Sequence, residues 1–143
     1  MKNVGQLLKS KPHRVVTVSP EDTVLEAIKT LAAYDVGAVM VVEGEKLVGI
    51  MSERDYTRKV VLQGRHSDTT RVKDVMTEHV ICVNPRSSAR DCMGLMSMKG
   101  IRHLPVVESG KAIGMVSIRD IVDDIIADQE FTISQLESYI SGQ

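Results

Sequence analysis

Two seven-residue segments carry the side chains best suited to binding chemistry. Gly49-Ile50-Met51-Ser52-Glu53-Arg54-Asp55 and Gly114-Met115-Val116-Ser117-Ile118-Arg119-Asp120 share glycine, serine, arginine and aspartate at identical spacing. Glycine removes a side chain where a ligand or another backbone must come close. Ser52 and Ser117 are placed to cap a following helix, whose free N–H groups and dipole favour an anion. Asp55 and Asp120, three residues on, can each accept two hydrogen bonds from a ribose 2′,3′-diol. Charge-assisted bonds of that kind contribute roughly 1.5–3 kcal/mol. Arg54 and Arg119 can pair with phosphate or support the aspartate. The same Ser-x-x-Asp is also a plain helix start, an N-cap with an acid at N3, which stabilises by about 1 kcal/mol and requires no ligand. The local pattern leaves both readings open, and the recurrence of all four residue types favours a ligand.

The elements that must position these residues come in two copies. Asp120 follows Asp55 by 65 residues, and that offset sets VVTVSPEDT beside VICVNPRSS and VVEGEKLVGIMSERD beside VVESGKAIGMVSIRD without a gap. Such register means two copies of one supersecondary unit. In each, a short strand (15–18 in the first copy) ends at Ser-Pro or Asn-Pro. A helix then begins with Thr23 and Glu26 spaced as a capping box, which Ser88 and Asp91 imitate. Val24, Ala27, Ile28 and Leu31 form its apolar stripe, matched by Ala89, Cys92, Met93 and Met96. Asp35-Val36-Gly37 should close the helix, with Gly37 as the stop. Strands at 38–42 and 47–51 form a hairpin about Glu43-Gly44-Glu45, and a second helix runs over 53–62. The expected fold is α+β, two β-α-β-β-α repeats packed as a pseudo-twofold pair, because one copy cannot bury its own apolar face. The expected organisation is an N-terminal helix and first repeat over 1–62, a connector over 63–77, a second repeat over 78–127 and a helical tail over 128–143. The stretch NVGQLLK reads as a short helix reaching across to the other copy.

Composition narrows the function. Apolar residues make up 43% and charged residues 26%, with a net charge of −1, as in a soluble globular chain without an electrostatic reason to seek nucleic acid or acidic membrane. Aromatics are 3%, which removes stacking platforms for single strands. Cys82 and Cys92 form no metal or redox spacing and are expected to be buried thiols. The histidines, His13, His66, His79 and His103, pair with no nearby nucleophile and show no metal spacing, so no catalytic residue and no metal are expected. No signal-peptide core and no apolar run of about 20 residues is present, so a cytoplasmic location is the expectation.

The copies differ in ways that matter for a ligand. Arg102-His103-Leu104-Pro105 stands where the first copy has Gly37-Ala38-Val39-Met40. Asp55 is followed by Arg58 and Lys59, whereas Asp120 is followed by Asp123 and Asp124. The local reading pairs Asp55 with Arg58 or Lys59 at i+3 and i+4. Two further readings are that the two sites are unequal and that the opposite charges meet across a head-to-tail dimer. Ile126, Ile133, Leu136 and Ile140 lie at helical spacing in the tail, which is expected to pack on its own domain or a twin subunit. Met93, Met96 and Met98 read as core filler.

The β-α-β-β-α repeat, the G-h-x-S-x-x-D segment in both copies (h is apolar) and the h-R-H-L-P-V strand resemble the cystathionine-β-synthase (CBS) domain, found as a tandem pair called a Bateman module. The resemblance covers 13–127 and is nearest to small bacterial proteins made of one such pair and to related plant organelle proteins. It implies a cleft between the copies with two pseudo-symmetric sites for adenosyl ligands: AMP, ADP, ATP, NAD(H) or, less in keeping here, S-adenosylmethionine. It implies that Thr17 and Cys82 meet the adenine edge through their backbone. Val18, Val36 and Ile50, with Val83, Ile101 and Met115, would sandwich the base. Ser52, Arg54 and Asp55, with Ser117, Arg119 and Asp120, would hold ribose and phosphate. Arg102 and His103, opposite Gly37 and Ala38, would add contacts to phosphate, as would Arg58 and Lys59. Catalysis is not a property of the family. The implied role is regulatory, in signal transduction through an unknown partner, as a homodimer. The alternative is a structural or interaction module with empty sites, for example one that docks a thioredoxin-type protein as plant relatives do.

Overall fold

The computed structural model describes residues 1–10 and 15–142. The fold is α+β and consists of two β-sheet and helix repeats. After α1 (Val4–Ser10), the first repeat contains β1 (Thr17–Val18), α2 (Val24–Tyr34), β2 (Ala38–Glu43), β3 (Lys46–Ser52) and a helix that begins as α3 (Glu53–Tyr56). The second contains α4 (Ala89–Lys99), β4 (His103–Glu108), β5 (Lys111–Ser117) and α5 (Ile118–Ile140). β1 runs parallel to β2, and β2 and β3 form an antiparallel hairpin, as do β4 and β5.

Several local expectations change. The first strand is two residues rather than four, and Val15 is exposed. Its counterpart in the second repeat shrinks to one parallel bridge, Val83 to Val106. Val83 N donates to Pro105 O at 3.0 Å and Val107 N donates to Val83 O at 2.9 Å. Pro105 has no N–H with which to extend that ladder toward Ile81, whereas Met40 at the equivalent place has one. α2 ends at Asp35, which takes the left-handed conformation at φ 51°, so Gly37 is not the stop. Gly100 fills the equivalent place at φ 64°. The helix after β3 leaves α geometry at Thr57 and winds as a π-helix over Thr57–Val61.

Each repeat is preceded by a lead-in segment that packs on the other repeat. Val4 and Leu7 of α1 are buried with Val83, Leu104, Val116 and Ile121 of the second repeat. Val72 and Val75, in and beside a 3₁₀ turn (Val72–Asp74), are buried with Val18, Val39, Val41 and Met51 of the first. The backbone contacts are equivalent: Val4 N donates to Ser87 O at 2.8 Å and Val72 N to Asp22 O at 2.9 Å. The reach of the N-terminal segment is therefore as expected, but 63–77 is more than a connector, because its second half is the matching lead-in. The two lead-ins correspond at an offset of 68, Val4 to Val72, which the ungapped offset of 65 hides. Their passage explains Gly49 and Gly114. A Cβ on Gly49 would stand 2.5 Å from Met76 Sδ and 3.1 Å from Thr77 O, and one on Gly114 2.8 Å from Leu8 Cδ2.

Further corrections concern side chains. Cys92 is buried, but Cys82 is exposed, since the strand-like alternation that turns Val83 inward turns Cys82 outward. Of the α4 methionines only Met96 is core, and Met98 is 78% exposed. Asp124 is buried and accepts a hydrogen bond from Lys2 N at 3.1 Å, so it holds the α1 lead-in and does not present its charge to a dimer partner. α5 continues unbroken through the tail, and Ile133, Leu136 and Ile140 do not pack on their own domain. No described helix is long and apolar enough to cross a membrane.

Candidate functional site

A cleft of about 440 Å³ opens between the repeats. Its first-repeat wall is Gly37, Ile50, Ser52, Glu53, Arg54 and Asp55. The opposite wall is Thr77, His79, Val80 and Ile81, with Gly100, Ile101, Arg102 and His103. β3 delivers Ser52 as N-cap of the next helix, and Glu53 N donates to Gly37 O at 3.0 Å, tying that helix to the start of β2. Ile118 N donates to Arg102 O at 2.8 Å in the same way in the second repeat.

Asp55 is held on both oxygens. Its Oδ2 accepts from Ser52 N at 2.9 Å and Ser52 Oγ at 3.1 Å, and its Oδ1 pairs with Lys59 Nζ at 3.0 Å. Lys59 also donates to Val75 O at 3.0 Å, so it orients the carboxylate and fastens the second lead-in. Four residues after Asp120 stands Asp124, so the lysine at i+4 is particular to the first repeat. The second aspartate retains the cap: Asp120 Oδ2 accepts from Ser117 N at 2.7 Å. Both segments are capping boxes, and the plain helix-start reading holds in both copies. The cleft at Asp55 is the additional feature that the plain reading does not account for.

Arg54 crosses between repeats, its Nη1 donating to Gly100 O at 3.3 Å. The imidazole of His103 packs against Gly37, where a Cβ would stand 3.2 Å from Nε2. The cleft thus combines apolar walls (Ile50, Val80, Ile81, Ile101), two acids (Glu53, Asp55), two arginines and two histidines. Among the described residues no group of acids, histidines and cysteines is placed to hold a metal ion. Burial raises the Cys82 thiol pKa. Burial and, secondarily, the neighbouring Asp91 raise that of Cys92, so neither is an activated thiolate.

Of the residues singled out from sequence, the cleft brings together Gly37, Ile50, Ser52, Arg54, Asp55, Ile101, Arg102 and His103. Val18 and Val83 turn into the cores, and Ala38 is fully buried. Val36 packs against the first core. Arg58 is exposed on the π turn outside the cleft wall, while Lys59 is drawn onto Asp55. Thr17 and Cys82 are exposed outside the lining, and the backbone beside the cleft is that of Val80 and Ile81. Met115, Ser117, Arg119 and Asp120 belong to the pseudo-symmetric position in the second repeat, and His13 lies outside the described residues. Glu53, Thr77, His79, Val80, Ile81 and Gly100 were not anticipated. The signal for 77–81 was available, since these residues lead into the first strand of the second repeat just as 12–16 lead into the first.

The family model for the CBS domain matches residues 4–62 and 72–127, and the chain belongs to this family as a tandem pair. The matched ranges begin at the two lead-ins. The chain is 42% identical to the mitochondrial CBS domain-containing protein CBSX3 of Arabidopsis thaliana, covering 97% of this chain and 72% of that one. Among solved structures, a CBS-domain protein from Burkholderia ambifaria, provisionally assigned to signal transduction, superposes with TM-score 0.85 and 48% identity over 90% of this chain and 96% of that one. The Pyrobaculum aerophilum CBS domain protein PAE2072, solved in complex with AMP, superposes with TM-score 0.74 and 25% identity over 82% of this chain and 88% of that one.

Proposed function

We propose that this chain is a regulatory module that binds an adenine nucleotide, AMP before ADP, ATP or NAD(H), in the cleft at Asp55, and that its output lies in a partner protein rather than in catalysis. The observation that carries this reading is the placement of Asp55 and four cationic or ionisable side chains, Arg54, His79, Arg102 and His103, around one apolar-walled cleft of about 440 Å³. That volume lies within the roughly 300–1,000 Å³ typical of small-molecule pockets. Ile50, Val80, Ile81 and Ile101 suit a base, the Asp55 carboxylate a ribose diol, and the arginines and histidines a phosphate. The AMP complex of the Pyrobaculum relative supports the same ligand class. Bound ligand touches both repeats and therefore biases their arrangement.

The Asp55 and Asp120 positions would bind unequally. Arg102 and His103 serve the first, where the second has Gly37 and Ala38. Calorimetry with AMP, ADP, ATP, NAD, NADH and S-adenosylmethionine tests the reading. At ligand 100 times its dissociation constant, stability should rise by about 2.7 kcal/mol. Silence across the panel would overturn it in favour of an interaction module with empty sites.

A further inference from the structure

We infer that Lys59 is a positioning residue that transmits the state of the Asp55 carboxylate to the second lead-in, so that filling the cleft tightens residues 72–77. The regulation by ligand deepens the nucleotide reading and rests on it, while the link itself stands on geometry. Lys59 Nζ lies 3.0 Å from Asp55 Oδ1 and 3.0 Å from Val75 O. One ammonium thus joins the acid in the cleft wall to a backbone carbonyl of the segment that completes the first core. The lead-in then returns to the cleft. Thr77 exchanges two backbone bonds with Ile50, at 2.9 and 3.0 Å, and both residues line it.

The helix departs from α geometry around this lysine. Leu62 N donates to Thr57 O at 3.0 Å and Arg65 N to Val60 O at 2.9 Å, both five residues back, and 56–62 hold no proline or glycine to cause it. The equivalent residues of the second repeat, 122–126, are plain α-helix. A π turn is rare and is frequent at functional sites. Here the widened turn keeps Val60 in the first core while Lys59, beside it, reaches both Asp55 and Val75. The residue 65 positions after Lys59 is Asp124, which also fastens a lead-in, by accepting from Lys2 N at 3.1 Å. An ionised acid accepts and does not donate, so Asp124 cannot pass a bond on to Asp120. The tie runs through the aspartate in the first repeat and bypasses it in the second. The lone pairs of Asp55 set the direction of the effect, since a carboxylate offers about four acceptor sites. Oδ2 takes Ser52 N and Ser52 Oγ, and Oδ1 takes Lys59. One ribose hydroxyl fills the remaining site, and a second displaces the Ser52 hydroxyl, whose hydrogen can rotate. Lys59 therefore stays in place, and the carboxylate loses its freedom to turn away from it.

Hydrogen exchange at Met76 N–H, which donates to Val72 O at 2.9 Å inside the lead-in, reads the link in the full chain. Val107 N–H, bonded to Val83 O in the second repeat, corrects for global stability. Without ligand, Lys59→Met, which keeps most of the stem and loses the ammonium, should speed exchange at Met76 roughly three- to tenfold relative to Val107. Asp55→Asn should do the same alone and add nothing in the Lys59→Met chain. A lysine that merely packs on the lead-in would leave Met76 indifferent to Asp55→Asn. Saturating AMP should slow Met76 about fivefold in the unaltered chain and less than about twofold in Lys59→Met. Additive effects of the two substitutions, or no effect of either, overturn the link. Equal protection by AMP in both chains overturns the regulation. A link that is present while calorimetry detects no AMP supports the role of Lys59 and overturns the nucleotide reading alone.

Discussion

The imidazole of His103, from the second repeat, rests on Gly37, from the first, so closely that a Cβ on Gly37 would stand 3.2 Å from Nε2 and 3.3 Å from Cε1. Gly37 O meanwhile accepts from Glu53 N at 3.0 Å, at the start of the helix that carries Asp55. The ring of one repeat is therefore fitted to the backbone that sets the carboxylate of the other. Gly37→Ala forces the ring to give by a few tenths of an ångström. AMP affinity should fall by a factor of about two to ten, up to about 1.4 kcal/mol, with little change in melting temperature. Calorimetry alongside a thermal melt separates the two effects.

Asp55 serves the cap and, on the proposed reading, the ligand. Asp55→Ala should weaken AMP about 10–100-fold and lower stability by about 1 kcal/mol. Loss of stability with undiminished affinity would mean that the carboxylate is a helix cap alone.

Arg102 should recognise phosphate rather than base or sugar. Arg102→Ala is expected to weaken AMP by roughly tenfold, the value of one charge-assisted contact, and to leave adenosine unchanged. An equal loss for both ligands would contradict a phosphate role.

Gly49→Ala tests the crossing of the second lead-in. The new methyl meets Met76 Sδ, which can move, and Thr77 O at 3.1 Å, which is backbone. A loss of about 1–3 kcal/mol is expected by chemical denaturation. Gly114→Ala should cost less, because its nearest neighbours are the terminal carbons of Leu8.

Cys82 is exposed yet its thiol pKa is raised by burial of the sulfur's surroundings. A raised pKa means a smaller thiolate fraction at neutral pH. Alkylation followed by mass spectrometry should show Cys82 reacting more slowly than a small-molecule thiol at pH 7 and accelerating as pH rises. Cys92 should react only on unfolding.

Much of this architecture is written locally. The capping residues Thr23, Ser52, Ser88 and Ser117 and the hairpin turns act within a few residues, and all form where the pattern puts them. Asp55, Arg54, Arg102 and His103 reach one cleft because the 65-residue register places their strands around a common axis. What the pattern hides depends on contacts between distant segments. His79, Val80 and Ile81 precede a strand that Pro105 reduces to a bridge, so no strand periodicity marks them and only the repeat register points to their place. The lead-ins escape because three residues inserted between Leu8 and Thr17 break the offset. Ile133, Leu136 and Ile140 look like packed residues by spacing, and only their exposure among the described residues reveals otherwise.

The crossed lead-ins have a consequence for how such a chain can come apart. Val4 and Leu7 complete the second core, and Val72 and Val75 complete the first. Neither half has a finished interior until the other is present, so folding has no stable halfway stage in which one half stands alone. A cut in the exposed stretch 61–66 would sever the backbone and still leave two fragments clasped, each holding the piece the other needs. The duplication is thus an exchange of parts, and one copy expressed alone would carry an open groove shaped for the segment it lacks.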